Sequence, residues 1–249
     1  MNPLAAALLD LVFAPVCLGC DAPISPGDAT RLVCRLCRTR LVAPPPPCCA
    51  RCGAPRLRTG RSEAQSCPEC ALWPPALAFA RSACVLEPPA DRIVHQLKYR
   101  GWSAAARPMA ERMADLALPD AAAREVDVVV PVPTTRSRLR ERGYNQAELL
   151  ANAYAHRTGR SVRLLLERRA GAASQTILQP VARGANVAGA FRIAGEAGSL
   201  ADAHLLLVDD VLTTGATAVE CARTLVAAGA RCVSIVTFAR APTVRRVPT

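Results

Sequence analysis

Eight cysteines arranged as four C-x-x-C pairs constrain this chain more than any other feature. The pairs are Cys17/Cys20, Cys34/Cys37, Cys49/Cys52 and Cys67/Cys70. Two residues between cysteines make a tight turn that aims both sulfurs at one point, and tetrahedral Zn2+ needs four thiolates at about 2.3 Å. The segment carrying them has few other means of folding. Twelve of the 21 prolines fall in residues 1–75, including Pro44 to Pro47, and Phe13 and Trp73 are the only aromatics there. With no sustained apolar period, this third of the chain cannot offset the entropy of folding from a core of its own. Bound metal is the expected source of order.

The segment also repeats itself. Residues 17–23 read C-L-G-C-D-A-P and residues 49–55 read C-A-R-C-G-A-P, each followed by a second C-x-x-C after 13 or 14 intervening residues. The duplication groups the ligands as Cys17, Cys20, Cys34, Cys37 and then Cys49, Cys52, Cys67, Cys70; an interleaved pairing is the alternative. Asp21 and Gly53, just after the second cysteine of each copy, suit the left-handed backbone of such knuckles. Four thiolates fill every ligand position, so two structural zinc ions are expected rather than a catalytic one. Four copies outside a thioredoxin-like βαβ context fit a redox role badly. The opening residues lack a basic stretch, and Asp10 interrupts their apolar run, which disfavours an export signal. A cytoplasmic, reducing location is expected, where such cysteines bind metal. Cys48 is a spare ligand or filler, and Cys84, Cys221 and Cys232 read as core thiols.

From a boundary near residues 73–75 the pattern changes. This gives a double zinc ribbon at 1–75 and a second domain at 76–249. Helical spacing covers 92–98, 104–116, 144–157 and 215–228, and β-rich apolar runs cover 126–132, 162–166, 205–209 and 232–238. Strand alternating with helix means right-handed βαβ units and a parallel sheet flanked by helices, an α/β fold. Residues 168–191 have no clear period and read as a long loop. No stretch approaches the roughly 18 apolar residues of a membrane span. The net charge is +11, and Lys98 is the only lysine. Excess arginine suits bidentate phosphate contacts, although a genome-wide Arg bias gives the same excess. Most of it lies after residue 75, densest at Arg136, Arg138, Arg140 and Arg142; that run reads equally as a solvated helix face.

The chemistry concentrates at 205–217, L-L-L-V-D-D-V-L-T-T-G-A-T. An apolar strand ends in Asp209 and Asp210, followed by Thr213, Thr214, Gly215, Ala216 and Thr217 opening a helix. Ligands bind at such carboxyl ends of parallel strands. The helix N-terminus and the threonine hydroxyls can hold a phosphate, and the two carboxylates can accept hydrogen bonds from vicinal ribose hydroxyls. The usual nucleotide loops, G-x-x-x-x-G-K-[ST] and G-x-G-x-x-G, are absent.

V-D-D-V-L-T-T-G-A-T resembles the phosphoribosyl diphosphate (PRPP) motif of type I phosphoribosyltransferases. From about Leu8 to Arg240 the chain is similar to the ComF (competence protein F) family. The motifs are the C-x-x-C pairs, L-K-Y-R-G at 97–101, P-V-P at 131–133, R-G-Y-N-Q at 142–146, R-x-x-N-V-x-G-A-F at 183–191 and the Asp-Asp loop. The likeness breaks at 168–175, where Ala172 replaces the family's usual threonine. The resemblance implies a double zinc ribbon joined to a type I phosphoribosyltransferase-like domain. It implies PRPP on Asp209, Asp210 and residues 213–217, with Mg2+ riding on PRPP. Arg136, after the first sheet strand, would face pyrophosphate, and Lys98 would act as a point charge. Asp209 and Asp210 would be the catalytic pair, steadying an oxocarbenium-like transition state without a protein nucleophile. The loop at 168–191, with Arg168, Gln175, Arg183 and Asn186, would close over the sugar. The family's link to DNA uptake in natural transformation adds single-stranded DNA and other uptake proteins as partners. Three readings follow: a PRPP-dependent transferase, a non-enzymatic single-stranded-DNA adaptor using the pocket as a sensor, and a nucleobase-salvage transferase. No aromatic-lined base pocket is visible for the last.

Overall fold

The computed structural model describes residues 15–24, 32–56, 67–119, 126–169, 189–195 and 200–242. The spacing of Leu4, Leu8 and Leu11 predicts a short amphipathic helix, which lies outside them, as do Ala172, Gln175, Arg183 and Asn186. In chain order the elements are α1 (Arg35–Thr39), β1 (Leu77–Val85), α2 (Ala90–Tyr99), α3 (Ala106–Ala114), β2 (Val126–Pro131), α4 (Arg136–Arg142), α5 (Gln146–Thr158), β3 (Ser161–Val162), β4 (Leu166–Arg168), β5 (Phe191–Ile193), β6 (His204–Leu212), α6 (Ala216–Ala227) and β7 (Cys232–Arg240).

Five strands form one sheet in the order β1-β7-β6-β2-β3, every neighbouring pair parallel. The expected α/β class holds: a parallel sheet flanked by helices, carrying a zinc-ribbon module. Three details differ from expectation. β1 went unexpected because L-A-F-A-R-S-A-C-V lacks a β-branched run, yet Leu77, Phe79, Ala80, Ala83 and Cys84 are buried at the sheet edge. The run at 162–166 is not one strand. Val162 pairs with Val129 in the main sheet, and the chain then leaves it, so that Leu166 pairs with Ile193 in an antiparallel β4-β5 ribbon. β6 continues past Asp209, because Val211 and Leu212 still pair with Ala239 and Arg240 on β7.

The sheet separates two cores. Along β6, Leu206 and Val208 point to one face and Leu205 and Leu207 to the other, the period of two of any strand. The first core gathers Ile93 and Leu97 of α2, Met109 and Met113 of α3, and Leu150 and Tyr154 of α5; Cys17, Leu18, Val33 and Cys37 join it. On the opposite face lie Cys221 and Leu225 of α6, together with Cys49, Cys52, Cys67, Cys70 and Trp73. Each half of the cysteine repeat therefore shares a core with a different face. Among the described residues, no helix is long and apolar enough to cross a membrane.

Candidate functional site

Both halves of the repeat fold alike. Cys17 N–H donates to Ala22 O at 2.9 Å and Cys49 N–H to Ala54 O at 2.8 Å. Asp21 N–H donates to Cys17 O and Gly53 N–H to Cys49 O, closing each knuckle. Asp21 has φ 59° and Gly53 φ 70°, the left-handed backbone expected of them. Equivalent bridges, Val16 to Pro23 and Cys48 to Pro55, close the two loops.

The ligand groups are sequential rather than interleaved: Cys17, Cys20, Cys34 and Cys37 converge, as do Cys49, Cys52, Cys67 and Cys70. Thiolates ~2.3 Å from a tetrahedral Zn2+ stand ~3.8 Å from one another. The sulfurs of Cys20 and Cys34 are 3.8 Å apart, those of Cys49 and Cys70 3.8 Å, and those of Cys52 and Cys67 3.7 Å. Both clusters therefore suit a structural Zn2+. Backbone N–H groups favour thiolate at one cysteine of each cluster, while burial first of all pushes Cys34, Cys37, Cys52 and Cys70 up. Burial raises the Cys17 thiol, but hydrogen bonds from the Cys34, Gly19 and Cys20 amides outweigh it and bring it down to about 7. Cys49 follows the same balance to about 7, with the Cys52 and Arg51 amides opposing burial. Cys48 is exposed, its Sγ directed at Pro45 O at 3.4 Å, and joins neither cluster.

At the carboxyl end of β6, Asp209, Thr213, Gly215 and Thr217 line one small cleft with Val211, Leu212, Ala218 and Ile235. Gly215, at φ 79°, is the N-cap of α6 and supplies no side chain to the helix N–H groups. Thr214 Oγ1 accepts one of them, Ala216 N–H, at 3.4 Å. A twelve-residue helix thus opens onto this cleft, its dipole favouring an anion.

The two aspartates part company. Because β6 continues to Leu212, its alternation sends Asp209 toward the α6 face and Asp210 toward the α2 face. Asp210 is buried, and Lys98 Nζ lies 2.9 Å from its Oδ1. The other oxygen, Oδ2, is buried without a hydrogen-bond partner. Asp209 Oδ1 accepts the Asp210 N–H at 2.8 Å. Desolvation and then the neighbouring Asp210 charge push the Asp209 carboxyl up to about 7, against the pull of Lys98. Lys98 therefore reaches the acidic pair from α2.

Arg136 opens into a second cavity of about 430 Å³, whose walls include Arg168, Arg169 and Arg192. Arg192 is paired with Glu167 at 2.7 Å. Arg168 lies over Phe191, 5.4 Å from the ring centroid, and its charged form is disfavoured by burial and then by Arg138, while Asp209 supports it. Arg168 is thus the cavity wall whose charge the β6 carboxylate influences. Arg142 turns elsewhere, stacking over Tyr99 at 5.0 Å and donating to Gln146 Oε1. Tyr144 Oη donates to Leu97 O at 2.6 Å, and Asn145 Nδ2 to Val132 O at 3.1 Å. R-G-Y-N-Q thus ties the loop after β2 to the helix that bears Lys98. Sequence reasoning missed Arg169 and Arg192; the doublet Arg168-Arg169 was the available signal, hidden by reading 168–191 as one loop.

A parallel sheet with a carboxylate and a helix N-terminus at its rim, carrying two four-cysteine knuckle units, defines an α/β protein with a zinc-ribbon module. Residues 8–71 match the family model described as a double zinc ribbon domain. DNA utilization protein YhgH of Salmonella typhimurium is 32% identical over 214 residues, covering 82% of this chain and 88% of the relative. The Escherichia coli K12 protein of the same name is 28% identical over 233 residues, covering 88% and 94%. The chain belongs to the ComF/YhgH family of DNA-utilization proteins. Among solved structures, the glutamine PRPP amidotransferase from B. subtilis is 21% identical with a TM-score of 0.36, over 54% of this chain and 26% of that one.

Proposed function

We propose that this protein binds PRPP at the carboxyl end of β6 and acts as a phosphoribosyltransferase-like component of DNA utilization, with zinc in both four-cysteine clusters. The observation that carries the reading is the meeting of Asp209, Thr213, Thr217 and the α6 N-terminus in one cleft. The 213–217 loop and the α6 amides take the 5-phosphate. Asp209 accepts a ribose hydroxyl. Asp210, paired with Lys98, positions Asp209 through its backbone N–H, and Asp209 faces the positive charge that develops as the pyrophosphate bond weakens. Arg136, Arg168 and Arg169 receive the pyrophosphate end. Mg2+, when bound with PRPP, neutralises part of the diphosphate charge. The zinc ions serve the fold, because every ligand position is taken by cysteine.

The adaptor reading has its own supporting observation. α4 carries four arginines on seven residues and buries none of its side chains, which suits contact with a nucleic-acid backbone. One experiment separates the readings. Calorimetry with Mg2+–PRPP is followed by a pyrophosphate-release assay across nucleobases and single-stranded DNA. Binding with turnover on one acceptor supports the transferase, binding without turnover supports the sensor, and no binding removes the PRPP reading.

A further inference from the structure

Trp73 belongs to neither the metal ligands nor the phosphate loop, yet it touches both. Its side chain is buried, at 7% exposure. On one side the Arg51 guanidinium lies 6.0 Å from the ring centroid. On the other lies Gly215. A Cβ added there would stand 2.7 Å from Trp73 Cζ2, 3.0 Å from Cε2 and 3.1 Å from Nε1. Contacts below about 3.0 Å are not tolerated in a close-packed interior without displacement. Gly215 is thus required twice, by its positive φ and by the indole against it.

The backbone of Trp73 is fixed from the second metal cluster. Its N–H donates to Cys70 O at 3.1 Å. Arg51, which sits between ligands Cys49 and Cys52, donates through Nη2 to Trp73 O at 3.3 Å and Pro74 O at 2.6 Å, and through Nη1 to Cys70 O at 3.4 Å. Both C-x-x-C turns of this cluster therefore converge on one tryptophan, whose far edge forms the floor under the N-cap of α6. Among the described residues, the first cluster shows no such route. Its Gly19 meets Pro89 and Cys37 instead, and Asp21 meets Arg92 of α2.

We propose that Trp73 is a positioning residue that couples the second four-cysteine centre, and not the first, to the order of the 213–217 loop and hence to its hold on phosphate. The phosphate clause rests on the PRPP reading above; the coupling does not. When the second centre is intact, the indole holds Gly215 and the first amides of α6 in one arrangement. When it opens, the Arg51 and Cys70 contacts go, and the loop loses its floor.

Amide hydrogen exchange on the full-length, zinc-loaded protein tests this directly. Trp73→Ala is compared with wild type, and Trp73→Phe is carried alongside because it keeps most of the volume while lacking the indole atoms that face Gly215. Exchange at Val219, whose N–H donates to Gly215 O at 2.9 Å, and at the next amides of α6 should quicken about tenfold or more in Trp73→Ala, and by less in Trp73→Phe, while zinc content is unchanged. Cys20→Ser, which opens the first centre, should leave those amides as protected as in wild type. Mg2+–PRPP affinity should fall in step with the exchange. Unchanged exchange in folded Trp73→Ala, or in Trp73→Phe if the former does not fold, overturns the coupling. Equal loosening by Cys20→Ser overturns its selectivity. Quickened exchange with no PRPP binding by wild type leaves the coupling standing and removes the PRPP reading alone.

Discussion

The two halves of the cysteine repeat share a backbone and differ in how they meet the sheet. In the first, Gly19 sits between the cysteines, and Pro89 at the start of α2 comes close enough that a Cβ would lie 2.9 Å from it. In the second the same place holds Arg51, which reaches out to the carbonyls of Cys70, Trp73, Pro74 and Leu77. Arg81 and Arg240 answer from the sheet, donating to the Ala50, Arg51 and Cys52 carbonyls. One half docks by close approach of small groups, with Cys20 exposed and Cys34 partly so. The other is tied by arginine hydrogen bonds, with all four cysteines buried. The difference extends to the site. The first half covers the face that holds Lys98 and Asp210, and the second the face that holds Asp209 and Gly215. The duplicated module thus meets two sides of one sheet, and the Gly19 and Arg51 positions are one place where its halves do so differently.

The sharpest way to break this comparison is to open the centres one at a time. Cys52→Ser should unfold the second ribbon and loosen the β1-β7 edge, whereas Cys20→Ser should keep the second zinc and most of the sheet. Structural zinc contributes on the order of 10 kcal/mol to modules of this kind; elemental analysis should show one zinc left in each variant, and thermal melts should show Cys52→Ser the lower of the two. Equal melts would mean that the halves contribute alike.

A smaller effect sharpens the account of the first face. Lys98→Met leaves Asp210 buried beside no cation, and breaking such a pair costs about 3–5 kcal/mol. Urea denaturation should show it, and Lys98→Met with Asp210→Leu together should recover a large part. A double variant as unstable as the single one would show that the pair does more than neutralise itself.

Asp209 should report the second face through pH. Its folded carboxyl keeps its proton up to about 7, while the ordinary value is 3.8. Folding therefore gains from protonated Asp209 below pH 4, and that contribution fades as pH rises to 7. Ligand binding should run the other way. If ionised Asp209 accepts a ribose hydroxyl, PRPP affinity should rise about tenfold between pH 6 and pH 8 beyond any change in PRPP itself. Asp209→Asn should flatten both slopes, and denaturation and calorimetry at matched pH would show it.

The weakest expected effect concerns the Asp21–Arg92 pair, at 3.1 Å and with both side chains more than half exposed. Arg92→Ala should change stability by about 1 kcal/mol or less and be insensitive to zinc loading. A larger loss would mean that the first ribbon depends on this contact and not on its apolar docking.

Much of this was legible in the residues. C-x-x-C spacing and the duplicated C-x-x-C-x-A-P fixed the two clusters and the left-handed Asp21 and Gly53, because turn geometry is local. Apolar runs followed by helical spacing gave the parallel sheet. The docking of the ribbons was hidden, since Gly19 and Arg51 acquire their meaning only from Pro89 and Trp73, which lie far off in sequence. β1 was hidden because alanine and serine suit an edge covered from both sides. The split of Asp209 and Asp210 was within reach: the period of two would have sent adjacent residues to opposite faces had β6 been carried on to Leu212.

That split gives the most direct test of the central claim, that the phosphoribosyl ligand meets the Asp209 face. Mg2+–PRPP titrations by calorimetry would compare wild type, Asp209→Ala and Lys98→Met/Asp210→Leu. A hydrogen bond to a charged group contributes about 1.5–3 kcal/mol, so Asp209→Ala should weaken binding roughly tenfold to a hundredfold. The Lys98–Asp210 replacement should weaken it by less. Wild-type affinity in Asp209→Ala, or a larger loss in the Lys98–Asp210 replacement, would contradict the account.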